Sequence, residues 1–254
     1  MTGDDAAARL RAAGSVFAED EAALIREAAA GDPARLEAML VRRIAGDPLE
    51  QVVGWVDFAG LRVPVAPGLF VPRRRTELIA RLAAAAAPED GLVVDLCCGV
   101  GAIAIAVCAA RPDVAVVAAD VDPAAVALAA ASLAPYRASS LVSDVDSALR
   151  HLDGTVDVLT ACPPYVPTEA IPLMPREARD HEPRHALDGG PDGARLQRAV
   201  LAASSRLLRP GGTVVVETSE ALVALTAEAA ADEGLEVRVE RDEELGAVAV
   251  AGRR

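Results

Sequence analysis

The sequence predicts an α/β fold: a seven-stranded, mostly parallel sheet with a terminal antiparallel hairpin, of Rossmann-like type. A small N-terminal helical domain and a β-hairpin linker precede it. Three observations predict this. First, Gly91-Leu-Val-Val-Asp95-Leu-Cys97-Cys98-Gly99-Val100-Gly101 is an apolar run of strand length that breaks on glycines and passes into an apolar helix over 101–110. A continuous apolar strand of this kind suits a central parallel position. Second, strand-like and helix-like stretches alternate from residue 92 onward, the pattern of a parallel sheet covered on both faces. Third, two strand-like runs, 236–240 and 246–251, are joined by a short acidic link that permits only an antiparallel pair.

Taken in order, residues 5–13, 19–30 and 33–45 read as helices, with Leu24, Ile25, Leu36, Met39, Leu40 and Ile44 at helical spacing. Asp32-Pro33 is a helix start, with proline at the first helical position. Gly46-Asp47-Pro48 ends the third helix, so 1–50 is expected as a small helical domain packed on the rest. Residues 51–68 form the linker, with strands over 52–56 and 61–65 turning through Ala59-Gly60. The remainder, 69–254, is the main domain. In it a loop, Phe70-Val-Pro72-Arg73-Arg74-Arg75-Thr76-Glu77, leads into a helix to about Ala87, for which Thr76 is the candidate cap. The three arginines read equally well as a solvated charge run and as a basic patch. Further strands are expected at 92–96, 114–119, 138–142, 155–160 and 212–217. Further helices are expected at 101–110, 123–134, 192–208 and 219–233.

Hydrophobic residues make up 52 % of the 254 residues but aromatics only 2 %, so the core must be built from Ala, Val and Leu. Lys and Arg total 25 against 38 Asp and Glu, a net charge of −13. Such a surface repels phosphate backbones and argues against broad nucleic-acid binding. The four cysteines, Cys97, Cys98, Cys108 and Cys162, show no metal-ligand spacing and read as reduced thiols. Met1 to Leu10 lacks an apolar signal core, and no apolar run approaches membrane-spanning length. A cytoplasmic, monomeric protein without membrane contact is expected.

The glycine turn is where the chemistry starts. Gly99 and Gly101 let the backbone bend sharply and leave room for a ligand, and the following helix offers free N–H groups and a positive dipole end. A ligand containing adenosine fits such a turn at the carboxyl end of a strand. Gly99-Val-Gly101-Ala-Ile-Ala104 satisfies the dinucleotide pattern too, so nicotinamide cofactor and S-adenosylmethionine both remain open at this point. Asp120, at the end of the second strand of the sheet, can accept both ribose hydroxyls; Asp122-Pro123 is the better helix cap. Asp144 can take an adenine amino group or close an Asx turn. After the fourth strand comes Cys162-Pro163-Pro164-Tyr165. Paired prolines stiffen the loop, and the carbonyls before and between them can accept hydrogen bonds from an NH₂ group. Tyr165 offers a ring face to a cation or a flat substrate. His181-Glu182-Pro183-Arg184-His185 matches a zinc-protease pattern in spacing, but Pro183 disfavours the helix that chemistry requires, so no metal site is expected.

These residues resemble the class I S-adenosylmethionine-dependent methyltransferases. More narrowly, the chain is similar to the HemK-type protein-(glutamine-N5) methyltransferases, which modify the glutamine of the Gly-Gly-Gln motif of peptide-chain release factors. The resemblance runs over nearly the whole chain: 36–48 in the helical domain, Gly54-Trp55-Val-Asp57-Phe58 in the hairpin, Val71-Pro72-Arg73 with Thr76-Glu77, and 182–193 after the Pro-Pro-Tyr loop. It implies S-adenosylmethionine as cofactor, a release factor or other protein as partner, and methyl transfer to a glutamine amide. It implies that the turn Cys97, Cys98, Gly99, Val100 and Gly101 holds the methionine part, that Asp120 binds ribose, that Asp144 and Val145 lie near adenine, and that Asp95 and Val121 also belong to the cofactor site. Cys162, Pro163, Pro164 and Tyr165 then form the catalytic loop, with Cys162 also touching the cofactor. The chain departs from the family pattern at Cys162 (Asn), Arg74 and Arg75 (Pro and an acid), Cys97 and Cys98 (small residues), Val145 (an aromatic) and Glu217-Thr-Ser (Gly two residues after the Glu). The helical domain is also short at its start. Another amine acceptor, or S-adenosylmethionine binding without turnover, are the alternative readings.

Overall fold

The computed structural model describes residues 3–147 and 149–254. Four helices come first: α1 (Gly3–Ala12), α2 (Ala18–Ala29), α3 (Pro33–Ala45) and the short α4 (Leu49–Val53). Asp32 caps α3 as its sequence suggests, its side chain accepting from the N–H groups of Ala34 and Arg35. The four helices bury Leu10, Ile25, Leu40 and Val52 in a cluster of their own. Val52 and Val53 were expected in a strand and instead complete α4. Their apolar pair packs into that cluster, and Gly54, at φ 95°, stops the helix before the strand begins. Short apolar runs do not distinguish strand from buried helix by periodicity.

The hairpin β1 (Trp55–Phe58) and β2 (Leu61–Pro64) follows, antiparallel from Trp55↔Pro64 to Phe58↔Leu61. Arg62 ties it back to α2 through Glu27, at 2.6 Å, and stacks 4.6 Å from the Trp55 ring centroid. After a loop and one 3₁₀ turn, α5 (Glu77–Ala86) opens the main domain.

The sheet contains β3 (Leu92–Leu96), β4 (Ala115–Asp120), β5 (Ala138–Val142), β6 (Val156–Ala161), β7 (Leu208–Thr218), β8 (Glu236–Asp242) and β9 (Ala247–Arg253). Its spatial order is β5-β4-β3-β6-β7-β9-β8. The first five strands are parallel, and β9 inserts antiparallel between β7 and β8, as the short link 243–246 requires. Helices α6 (Ala102–Ala110), α7 (Pro123–Leu133), α9 (Arg195–Leu207) and α10 (Val223–Asp232) connect the strands, with the short α8 (Arg176–His181) in the long segment after β6. Alternate residues of one strand serve opposite faces: Val93 and Val158 pack with α5 and α6, Val94 and Leu159 with α9. The chain runs from β3 outward through β4 to β5, then returns to β6 on the other side of β3. That reversal leaves a crevice at the carboxyl ends of β3, β4 and β6, where open α/β sheets bind ligands. Among the described residues, no helix is long and apolar enough to cross a membrane.

Candidate active site

The turn after β3 is shaped by three left-handed residues, Cys97 (φ 55°), Gly99 (φ 52°) and Gly101 (φ 84°). A Cβ on Gly99 would project into open space, whereas one on Gly101 would stand 3.0 Å from the Ala129 side chain. Gly99 therefore borders a cavity, and Gly101 permits the close approach of α6 to α7. Asp120, at the end of β4, holds the turn: its carboxylate accepts from Gly99 N–H at 2.8 Å and from Asp122 N–H at 2.9 Å. Each oxygen keeps a further acceptor position. Asp122 caps α7, accepting from Ala124 and Ala125.

The turn opens onto a cavity of about 670 Å³. Cys97, Gly99, Asp120, Val121, Asp144, Val145, Cys162 and Pro164 all line it. Asp144 reaches it from an Asx turn, in which its carboxylate accepts from the Ser147 amide and hydroxyl at 2.7 and 2.8 Å. Asp95, Cys98, Val100 and Gly101 do not line the cavity. Asp95 is completely buried; its Oδ1 accepts from the Thr160 hydroxyl at 2.8 Å, and its Oδ2 has no partner among the described residues. Burial, above all, pushes its carboxyl up to about 7.

A second cavity of about 330 Å³ lies on the other side of the Cys162–Tyr165 loop. Pro163 and Tyr165 line only this one, while Cys162 and Pro164 line both, so the loop is the wall where the two meet. The Cys162 thiol lies 3.9 Å from the Thr76 hydroxyl, and burial holds it far above the ordinary thiol range, hence protonated. Thr76 accordingly does not cap α5 through its side chain. The Tyr165 hydroxyl donates to Glu217 Oε1 at 2.9 Å and accepts from Arg75 Nε at 3.0 Å; Arg75 Nε also reaches Glu217 Oε1 at 3.2 Å. Burial raises the Tyr165 phenol above its usual range and keeps it a donor. Behind Glu217, Gln197 donates to its backbone carbonyl at 3.0 Å and accepts from the Thr226 hydroxyl, fixing the end of β7.

Two further contacts set the loop. Glu182, with a side chain 1 % exposed, accepts from Val71 N–H at 3.1 Å and from Arg73 Nη2 at 2.6 Å. It clamps the 70–76 loop over the site. The segment Leu187–Gly193 then backs the Pro-Pro-Tyr loop: Val166 N–H donates to Leu187 and Gly189 N–H to Val166. A Cβ on Gly189 would come within 2.4 Å of the Gly193 carbonyl and 2.7 Å of Tyr165 Cα, so only glycine fits. His181 ends α8 and His185 sits in a separate 3₁₀ turn, so the two do not share a helix.

The chain is similar to known methyltransferases. The Methyltransferase small domain family model matches residues 73–175. The release factor glutamine methyltransferase of Mycolicibacterium smegmatis is 37 % identical over 204 residues, covering 79 % of this chain and 72 % of that protein. The release factor glutamine methyltransferase of Streptomyces coelicolor is 37 % identical over 191 residues, 74 % of this chain and 68 % of that one. The chain belongs to the release factor glutamine methyltransferase family. It is thus an S-adenosylmethionine-dependent methyltransferase. Among solved structures, the ribosomal protein L11 methylase of Lactobacillus delbrueckii subsp. bulgaricus shares the fold with a TM-score of 0.53 at 17 % identity, covering 76 % of this chain and 84 % of that one.

Within this family, sequence reasoning on the present chain missed how the 73–75 arginines act. Only Arg74 is exposed; Arg73 pairs with Glu182, and Arg75 joins Tyr165 and Glu217. Glu217 was noticed only as a departure from the family pattern. A signal was available, since an acid at the end of the apolar strand 213–216 must find a buried partner.

Proposed function

We propose that this methyltransferase moves the methyl group of S-adenosylmethionine to the side-chain amide nitrogen of a glutamine in a protein substrate of the release-factor class. The observation that carries this reading is the position of Cys162 and Pro164 as the shared wall of two cavities, one on the Asp120 side and one on the Tyr165 side. The first cavity suits the donor. Asp120 has acceptor capacity left for two ribose hydroxyls, Val145 offers an apolar face for adenine, and the space beside Gly99 admits the methionine chain.

When bound, S-adenosylmethionine would supply an electrophilic sulfonium methyl group to the amide nitrogen, with S-adenosylhomocysteine as the leaving group and the amide proton passing to solvent. The chain's part is placement. The carbonyls of Cys162 and Pro163 precede prolines, and in this reading they accept from the two N–H bonds of the amide and aim its lone pair at the methyl. Tyr165, fixed by Arg75 and Glu217, closes the acceptor side. An amide is a poor nucleophile, so alignment and exclusion of water carry the rate; alignment can supply about 7–11 kcal/mol at most. A protonated Cys162 thiol does not compete for the methyl group. Helices α1–α4 serve as the recognition domain for the protein substrate, and the chain acts as a cytoplasmic monomer.

Calorimetry tests the donor side. The native protein should bind S-adenosylmethionine, and Asp120→Ala should weaken it by about tenfold or more. No binding by the native protein would overturn the assignment of the first cavity.

A further inference from the structure

Arg195, the first residue of α9, lines the first cavity beside Leu196. Its backbone N–H donates to the Gly189 carbonyl at 3.0 Å. Its side chain then runs along Gly190, where a Cβ would stand 3.0 Å from Arg195 Cβ and 3.2 Å from its Nε. Gly190 is at φ 90°, so both its own conformation and the passage of that side chain call for glycine. The guanidinium Nη2 donates to the Asp188 carbonyl at 3.5 Å. Among the described residues no carboxylate forms an ion pair with this guanidinium; the nearby Asp188 carboxylate accepts from the Thr168 hydroxyl and the Gly190 N–H instead. The arginine stem is therefore laid out before any ligand arrives, and a charged plane is left over at the cavity wall.

Helix α9 shares its apolar cluster with Val145 and Leu149, so Arg195 meets the cavity on the Val145 side. Among the described residues, rings in the cavity wall come from Phe70, which the second cavity shares, and from His185, whose Nε2 is 3.5 Å from the Asp122 carboxylate. Phe70 thus belongs to the transfer end and His185 to the ribose end. The base end has Val145 and Leu196 as aliphatic cover and no ring to stack on. A guanidinium plane can stack on the π face of a purine while its edge stays in water. We propose that Arg195 covers the face of the adenine of S-adenosylmethionine, a cofactor-binding residue that does the work of an aromatic partner. This rests on the assignment of the first cavity to the cofactor.

The test is calorimetry on the full chain with two ligands: S-adenosylhomocysteine, and 5′-methylthioadenosine, which carries the same adenosine without the amino-acid chain. Arg195→Ala, checked for native melting behaviour, should weaken both by the same factor, about five- to twentyfold. Arg195→Lys, which keeps the charge without the flat face, should stay weaker than the native protein by about threefold or more. Unchanged affinity in Arg195→Ala would overturn the proposal, and so would native affinity in Arg195→Lys. A loss confined to S-adenosylhomocysteine would overturn it too, because the arginine would then be pairing with the amino-acid carboxylate. In each of these cases binding by the native protein leaves the donor cavity standing. A native protein that binds neither ligand would remove that assignment, and this proposal with it.

Discussion

Asp95 should make the ligand-free protein less stable as pH rises toward neutrality. The carboxyl is completely buried, one oxygen lacks a partner, and desolvation lifts it from 3.8 to about 7. The folded state then holds a proton that the unfolded state has already released between those two pH values. A raised carboxylate contributes most below the unfolded value, and stability falls as pH climbs through the window to the folded value. One proton corresponds to about 1.4 kcal/mol per pH unit, so the ceiling over the whole window is about 4 kcal/mol. Asp95→Asn keeps an acceptor for the Thr160 hydroxyl and removes the titration. Urea unfolding of both proteins at several pH values from 4.5 to 8 isolates the term, because other groups cancel in the difference. Native stability minus Asn-variant stability should decline up to about pH 7 and then level off. A difference that stays flat, or that grows with pH, would refute this description of Asp95.

Other substitutions probe the supports of the site. Gly189→Ala drives a Cβ into backbone on two sides, Gly193 and Tyr165, so kcat/KM should drop by about a hundredfold as the Pro-Pro-Tyr loop shifts. Unchanged steady-state kinetics would mean that the loop does not depend on that segment. Glu182→Ala leaves the Val71 N–H unsatisfied and frees Arg73, which is partly hydrated already; a loss of about 2–4 kcal/mol in urea unfolding is expected. Glu182→Gln, which keeps an acceptor for Val71, should lose about half of that. Cys97 stands at φ 55°, where a β-branched side chain is strained. Cys97→Val should therefore lose about 1–2 kcal/mol, whereas Cys97→Gly should stay within about 1 kcal/mol of the native protein, both read from denaturant midpoints.

What could be read from sequence was local. The β3–turn–α6 unit, the Asp122 cap and the β8–β9 hairpin each depend on residues a few positions apart, so pattern and turn chemistry sufficed. Val52 and Val53 fell on the wrong side because an apolar pair carries no period, and the cluster beneath α2 decided for helix. The arginine loop was illegible for a different reason. Arg73 meets Glu182 across 109 positions and Arg75 meets Glu217 across 142, so no local pattern separates a clamped arginine from a solvated one. The Gly189–Gly193 segment was visible as a family resemblance, but its physical reason, contact with the Tyr165 backbone, needed the fold.

The most direct measurement is tandem mass spectrometry of a purified release factor after incubation with this protein and S-adenosylmethionine. The predicted result is one added methyl group, located on the glutamine of its Gly-Gly-Gln motif and absent when the protein is omitted. A release factor that stays unmodified with the native protein, while Cys162→Asn methylates it, would contradict the claim that the native loop holds a glutamine amide for transfer.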